Sequence, residues 1–364
     1  MAPGSNVREE SMQESVVLGW LLRRALGTRD ERVPDVAEWD VSLPDLGLSR
    51  CLSLAAHFVR VDRIPVSRSA RLALVASQSQ AEAAVARNRQ QLLELAPRLE
   101  AGGRPWLVLK GFPLASRLYP SPACRPSGDV DLLIDRSDIR VGDSVLIEAG
   151  YVASEPLDVS FHHRRYDRVG TVGRETVELH WASDPPSFAA PPTSLILQGR
   201  RRFDSDGVQV WIPGEGMEID LLIRHFARHA GLQAILHLDL LLMAGEETHT
   251  HPLGALVRDD LARLGLPLRI DGPDRWRLGP LRSWMAVRNF AQRREIGAPA
   301  VYQAVTALAL SRSPMGASRE ILRYLWPRTP SSQWRAEAAT RWGGLTWRLR
   351  RLRRLTVSSH DPVS

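Results

Sequence analysis

Lysine is nearly missing from this 364-residue chain: of 48 Lys and Arg residues, all but Lys110 are arginine. A GC-rich genome explains why lysine is rare, but not why one stands between a short apolar run and a glycine. Cysteine is scarce too. Cys51 and Cys124 are too few for a disulfide framework and have no metal-ligand spacing, which excludes a small disulfide-rich scaffold and points to a reducing compartment. Long apolar runs are absent. None reaches the roughly 18 residues that cross a bilayer, and "MAPGSNVREESMQESVVLGW" lacks the basic start, apolar block and cleavage site of a leader. The expectation is a soluble, cytoplasmic protein without a transmembrane segment.

The chain also lacks an evenly spread positive surface. Its net charge of +7 is concentrated in the arginine-rich, acid-free "RWGGLTWRLRRLRRL" at 341–355. The remainder is close to neutral, so no extended nucleic-acid surface is expected. That basic segment puts Trp and Leu on one stripe and Arg opposite. Packing on its own domain is the default reading, and contact with a membrane surface or an acidic partner is the alternative.

With 44% hydrophobic and 24% charged residues, the chain is globular. Apolar positions at helical spacing run through residues 11–100, with "RVPDVAEWDVSLPDLGLS" read as a Pro- and Asp-rich break. The period then changes. "PWLVLK", "GDVDLLID", "ETVELHW" and "GVQVWIP" read as strands, "PLASRLY" as a helix with Pro113 in its first turn, and "RSDIRVGDSVLIEAGY" as a helix stopped by Gly150. After "WIPGEG" the helical period resumes. The fold class is α+β, a small mixed sheet with flanking helices. The expected organisation is a helical region at 1–100, an α/β core at 101–215, a helical domain at 216–325 and a basic helix and tail at 326–364.

Alternate residues of a strand share a face about 6.6 Å apart along the backbone, so Asp129 and Asp131 of "GDVDLLID" lie together. Their mutual repulsion is relieved if a hard divalent cation sits between them. An exposed strand face is the bland alternative. Glu178 and His180 share a face of "ETVELHW", and if this strand neighbours the first, Glu178 comes within about 5 Å of an aspartate. Three converging carboxylates suit two metal ions about 4 Å apart, the clamp of phosphoryl and nucleotidyl transfer. Lys110-Gly111, between a strand and a helix, offers backbone N–H groups and a compact point charge to a phosphate, for which lysine differs from the bulkier arginine fork.

Together, "LVLKGFPLASRLYPSPACRPSGDVDLLID" and "VELHW" resemble a group of uncharacterised nucleotidyltransferases within the DNA polymerase β-like superfamily, often encoded beside lasso-peptide and other natural-product genes. The resemblance extends through about residues 100–340. It implies that Asp129, Asp131 and Glu178 bind Mg²⁺ or Mn²⁺ and are catalytic. It also implies that Lys110, Gly111, Gly128 and Arg125 meet the phosphates of a nucleoside triphosphate, ATP first, while a small molecule or peptide accepts the NMP. Phe112 stands where the superfamily has Ser or Gly. Arg117 is a weaker phosphate candidate.

Several histidines invite a metal reading that the pattern does not favour. His225 and His229 are four apart near Asp220 and Asp239, but lack the glutamate of a metalloprotease helix and read as structural. His162 and His163 fit either a cleft wall or a polar strand edge, and His180 is the better candidate for supporting the metal ligands. Two other functions compete: a DxD glycosyltransferase using a nucleotide-sugar, and an inactive binding or scaffold protein of the same fold.

Overall fold

The structure, a computed structural model, describes residues 16–28, 32–157, 162–171, 173–184, 190–228 and 233–245, with two short strand pieces at 249–250 and 270–271. The expected helices beyond 271 and the basic segment at 341–355 lie outside the described residues.

Four helices come first: α1 (Val16–Ala25), α2 (Val36–Leu48), α3 (Leu52–Val61) and the 34-residue α4 (Arg68–Ala101). Helix α2 corrects the expectation of a break at "RVPDVAEWDVSLPDLGLS". Asp35 accepts from the Glu38 amide while the Glu38 carboxylate accepts from the Asp35 amide, a capping box that starts a helix where proline content suggested none. Pro44 lies inside the helix. Tertiary packing offsets its missing N–H: Trp39 is fully buried with its ring edge-on to Trp20 at 6.0 Å.

The α/β part follows as β1 (Trp106–Val108), α5 (Phe112–Leu118), β2 (Val130–Ile134), α6 (Ile139–Glu148), β3 (Val152–Ala153), β4 (His163–Gly170), β5 (Gly173–His180), α7 (Thr193–Gln198), β6 (Arg201–Ser205) and β7 (Val208–Ile212). Helices α8 (Glu215–Arg228) and α9 (Ala234–Ala244) come next. The main sheet has the order β1-β2-β5-β4-β3; only β2 and β5 run parallel, the other neighbours being antiparallel. "GVQVWIP" forms β7, but in a separate hairpin with β6 rather than in the main sheet. The fold is α+β, as expected.

Alternation divides the sheet into two faces. Val130, Leu132 and Ile134 of β2, Val177 and Leu179 of β5 and Tyr166 of β4 pack with Leu92, Leu95 and Leu99 of α4, Leu146 of α6 and Val208 and Val210 of β7. Helix α6 approaches through Gly142, where a Cβ would lie 2.8 Å from Ile134 and 3.0 Å from Leu179. Truncating a fully buried leucine such as Leu132 to alanine costs about 2–5 kcal/mol. A second cluster joins α1, α2 and α3 to α8 and α9, so the helices before and after the sheet share one apolar core. On the opposite face Leu133 of β2 packs with Leu107, Ile196 and Leu197 in a third, smaller cluster, and the neighbouring positions of β2, β5 and β4 carry charged and imidazole side chains.

Candidate active site

Strand β2 opens with Asp129 just before it and Asp131 within it, and β5 lies beside it in parallel with Asp131 opposite Glu178 and Leu133 opposite His180. The alignment follows from the apolar halves: Val130, Leu132, Val177 and Leu179 must all point into the core, and a shift of one residue would turn them outward. That requirement forces Asp131, Glu178 and His180 onto the other face. Asp131 is almost completely buried, at 1% exposure.

Lys110, at the end of β1, places Nζ 2.8 Å from Asp131 Oδ2. His180 Nε2 lies 3.2 Å from Asp131 Oδ1 and 3.4 Å from Glu178 Oε2. Burial works to raise the Asp131 carboxyl, but Lys110 and His180 overcome it and hold it well below the usual carboxylate range. His180 shows the reciprocal effect: burial disfavours its charge, while Asp131 and Glu178 raise its pKa. Contact with His180 lowers Glu178, against burial. Asp129 moves the other way, pushed up by burial and then by the Asp131 charge.

Gly111 has φ +80° and ψ −128°, a region outside the left-handed helix that glycine enters freely and that costs residues with a side chain about 1–3 kcal/mol. A Cβ there would also lie 3.3 Å from Ser127 Oγ. Ser127 in turn hydrogen-bonds the Asp129 carbonyl and carboxylate, so the Lys-Gly turn packs directly on the lead-in to the aspartates. Gly128 faces open space. Arg125 is bidentate to Asp239 of α9, at 2.6 and 2.7 Å, and only 6% exposed; its guanidinium is engaged by a carboxylate. Arg117 is likewise engaged, by the buried Glu218.

Of the histidines given a structural reading, His225 lies on α8 and His229 lies outside the described residues. Asp220 pairs with Arg224, and Asp239 with Arg125 and Tyr119. Burial pushes the Cys51 thiol up to about 12 and the Cys124 thiol up to about 11, consistent with unreactive core cysteines.

Two residues of this region escaped the sequence reading. Asn88, buried on α4, donates to the carbonyls of Ser127 and Asp129 at 3.1 and 3.3 Å; the available signal was a polar residue on the apolar stripe of a long helix. Arg165 sits opposite Glu178 on β4; its hydrogen bonds to Asp167 raise its pKa against burial, and Glu178 and Asp129 add to the effect. Its signal was the alternation of residues 163, 165 and 167 in "HHRRYD".

The family described as uncharacterised nucleotidyltransferase matches residues 54–257, more than half of the chain. The chain belongs to that family. It is a nucleotidyltransferase, an enzyme that moves a phosphorus-containing group. No curated protein and no solved structure matches it. The family match begins within α3, well before residue 100 where the resemblance was placed. The placement of Asn88 shows a physical reason for the earlier start: α4 holds the loop that carries the nucleotidyltransferase's aspartates. The glycosyltransferase alternative is not favoured, because the family is one of nucleotidyl transfer and the elements described before β1 are helices rather than the parallel strands that alternative needs. Among the described residues no helix is long and apolar enough to cross a membrane.

The donor set fits a divalent cation. Asp131, Glu178 and His180 offer ligand atoms all within 4.8 Å of one another. Asp129 adjoins them with its carboxyl raised by burial and then by the charges of Asp131 and Glu178, against Lys110, and carboxylate oxygens are what hard cations take.

Proposed function

We propose that this nucleotidyltransferase is divalent-metal-dependent and transfers an NMP, AMP from ATP, to a small-molecule or peptide acceptor with release of pyrophosphate. The observation that carries the reading is the alignment of Asp131 with Glu178 on parallel neighbours, with Lys110 at 2.8 Å and the Gly111 turn packed beneath.

Asp129, Asp131 and Glu178 would hold Mg²⁺ or Mn²⁺, which when bound supplies charge for the phosphate oxygens and acidifies the acceptor hydroxyl. Lys110 pairs with Asp131 before loading, then turns to neutralise the phosphate oxygens of the departing pyrophosphate. Gly111 and Gly128 leave room for the triphosphate against the backbone. Arg125 holds the segment before the aspartates through Asp239 and reaches phosphate only by releasing that pair. Arg165 is paired with Asp167 at 3.0 Å and, like Arg125, meets a substrate anion only by releasing that carboxylate.

In the reaction, the acceptor oxygen bonds to the α-phosphorus, the bond to the β-phosphate oxygen breaks, and the acceptor proton passes to Glu178. Glu178 is a weak base here, because His180 lowers its affinity for a proton, so transfer accompanies bond formation rather than preceding it.

The test incubates the protein with Mg²⁺ or Mn²⁺, each α-labelled NTP and candidate acceptors. The expected result is label transfer with stoichiometric pyrophosphate, reduced by at least about 10³-fold in Asp129→Asn/Asp131→Asn. Equal transfer by that double variant, or no metal-dependent nucleotide binding by the parent, defeats the proposal.

A further inference from the structure

We infer that His162, His163 and His180 form a binding site for a transition-metal ion of the Zn²⁺ or Co²⁺ class, beside the carboxylates and different from them in donor chemistry. Strand β4 starts at His163, which pairs with His180 at the end of β5, and the two rings stack with centroids 5.0 Å apart at 26°. His162 precedes the strand, and its carbonyl accepts from the amides of both Trp181 and Ala182, at 3.0 and 3.3 Å. The backbone therefore curls around the end of β5, and the His162 ring reaches within 4.4 Å of His163 and 6.0 Å of His180. Each of the three residues offers a ring nitrogen within 4.8 Å of the others.

Burial separates a metal site from a chance gathering of surface imidazoles. His162 is 8% and His180 5% exposed, while the half-buried His163 provides a route for entry. His162 Nε2 and His163 Nδ1 stand 3.0 Å apart. The nitrogens of His180 have unequal surroundings: Nε2 faces Asp131 and Glu178, whereas Nδ1 is buried without a hydrogen-bond partner. Leaving such a group unsatisfied costs about 1–3 kcal/mol. The carboxylates account for Nε2 alone, and Nδ1 is the nitrogen left over for an ion.

Zinc–imidazole bonds of about 2.0–2.1 Å set tetrahedral nitrogens about 3.3 Å apart, so a span of 4.8 Å closes with side-chain rotation. Three imidazoles leave a fourth position for water or an acceptor atom. Imidazole selects Zn²⁺, Co²⁺ or Ni²⁺, while Asp129, Asp131 and Glu178 suit Mg²⁺. The two donor sets thus sort two classes of ion, and the histidine site does not depend on the nucleotidyl-transfer reading.

The test titrates metal-stripped full-length protein with Co²⁺ in excess Mg²⁺, reading visible d–d absorption and dialysed metal content, then displaces Co²⁺ with Zn²⁺. One equivalent of low-symmetry Co²⁺ is expected, weakened at least about 100-fold in His163→Ala and His163→Gln, and kept in Glu178→Gln. Thermal melts without metal establish that the variants are folded. X-ray absorption of the Zn²⁺-loaded parent, which needs no variant, should show imidazole scattering from three ligands. The inference is overturned by no stoichiometric binding to the parent, by fewer than three imidazoles in its spectrum, by unchanged binding in both folded His163 variants, or by a loss in Glu178→Gln equal to theirs.

Discussion

Replacing Lys110 by methionine removes one charge from the candidate site while keeping most of the side chain's length. Asp131, at 1% exposure, then keeps His180 at 3.2 Å and the more distant charge of Arg125. Removing one partner of a buried ion pair costs about 3–5 kcal/mol. Because Lys110 is 22% exposed and His180 still compensates Asp131, the expected loss is about 2–3 kcal/mol. For a protein of 364 residues, that lowers the melting temperature by roughly 3–4 °C. A divalent cation reverses the effect, since the ammonium and the ion compete for the same carboxylate. Lys110→Met should bind Mn²⁺ about tenfold more tightly than the parent, a difference of about 1.4 kcal/mol, and gain correspondingly more thermal stability at a fixed Mn²⁺ concentration. Scanning calorimetry with and without Mn²⁺ measures both quantities. Identical melting of parent and variant without metal, or equal Mn²⁺ stabilisation of both, would refute the coupling between Lys110 and the cation position.

Other outcomes are open to measurement. Gly111→Ala should lose about 1–3 kcal/mol from its backbone conformation and, by pressing on Ser127, reduce nucleotide binding more than a stability-matched core variant; equal binding in the two counts against a phosphate role for the turn. Arg168 binds Glu94 and the 3%-exposed Glu175 and lies over Tyr151, so Arg168→Met strands a buried carboxylate and should cost about 3–5 kcal/mol in urea unfolding. Burial works to raise Asp167, but Arg174, Arg165 and Thr176 hold it well below the usual carboxylate range. Its depressed folded-state pKa gives stability that is fully present above the unfolded value of about 3.9 and lost as pH falls through the folded one. The stability gap between the parent and Asp167→Asn should therefore shrink below about pH 4, and a gap that widens there contradicts the assignment.

Much of the site was legible because strand periodicity is local. Asp129 and Asp131 had to share a face whatever their neighbours, and apolar residues at 130, 132 and 134 indicated which face was buried. Helix α2 departs from the expected break because the reciprocal cap of Asp35 and Glu38 outweighs its proline content. Arg125 was matched to phosphate by its position in the chain, and the carboxylate that engages it lies 114 residues away, beyond any local pattern.

Residue order alone determined the strand faces, the Lys-Gly turn and the charge types available, since each depends on neighbours one to four positions apart. Tertiary structure decided that β5 would lie parallel to β2 with Glu178 level with Asp131, that Lys110 would close on Asp131, and that three histidines would meet at the end of β5. Those outcomes depend on burying two apolar faces at once, a condition that segments distant in sequence satisfy only together.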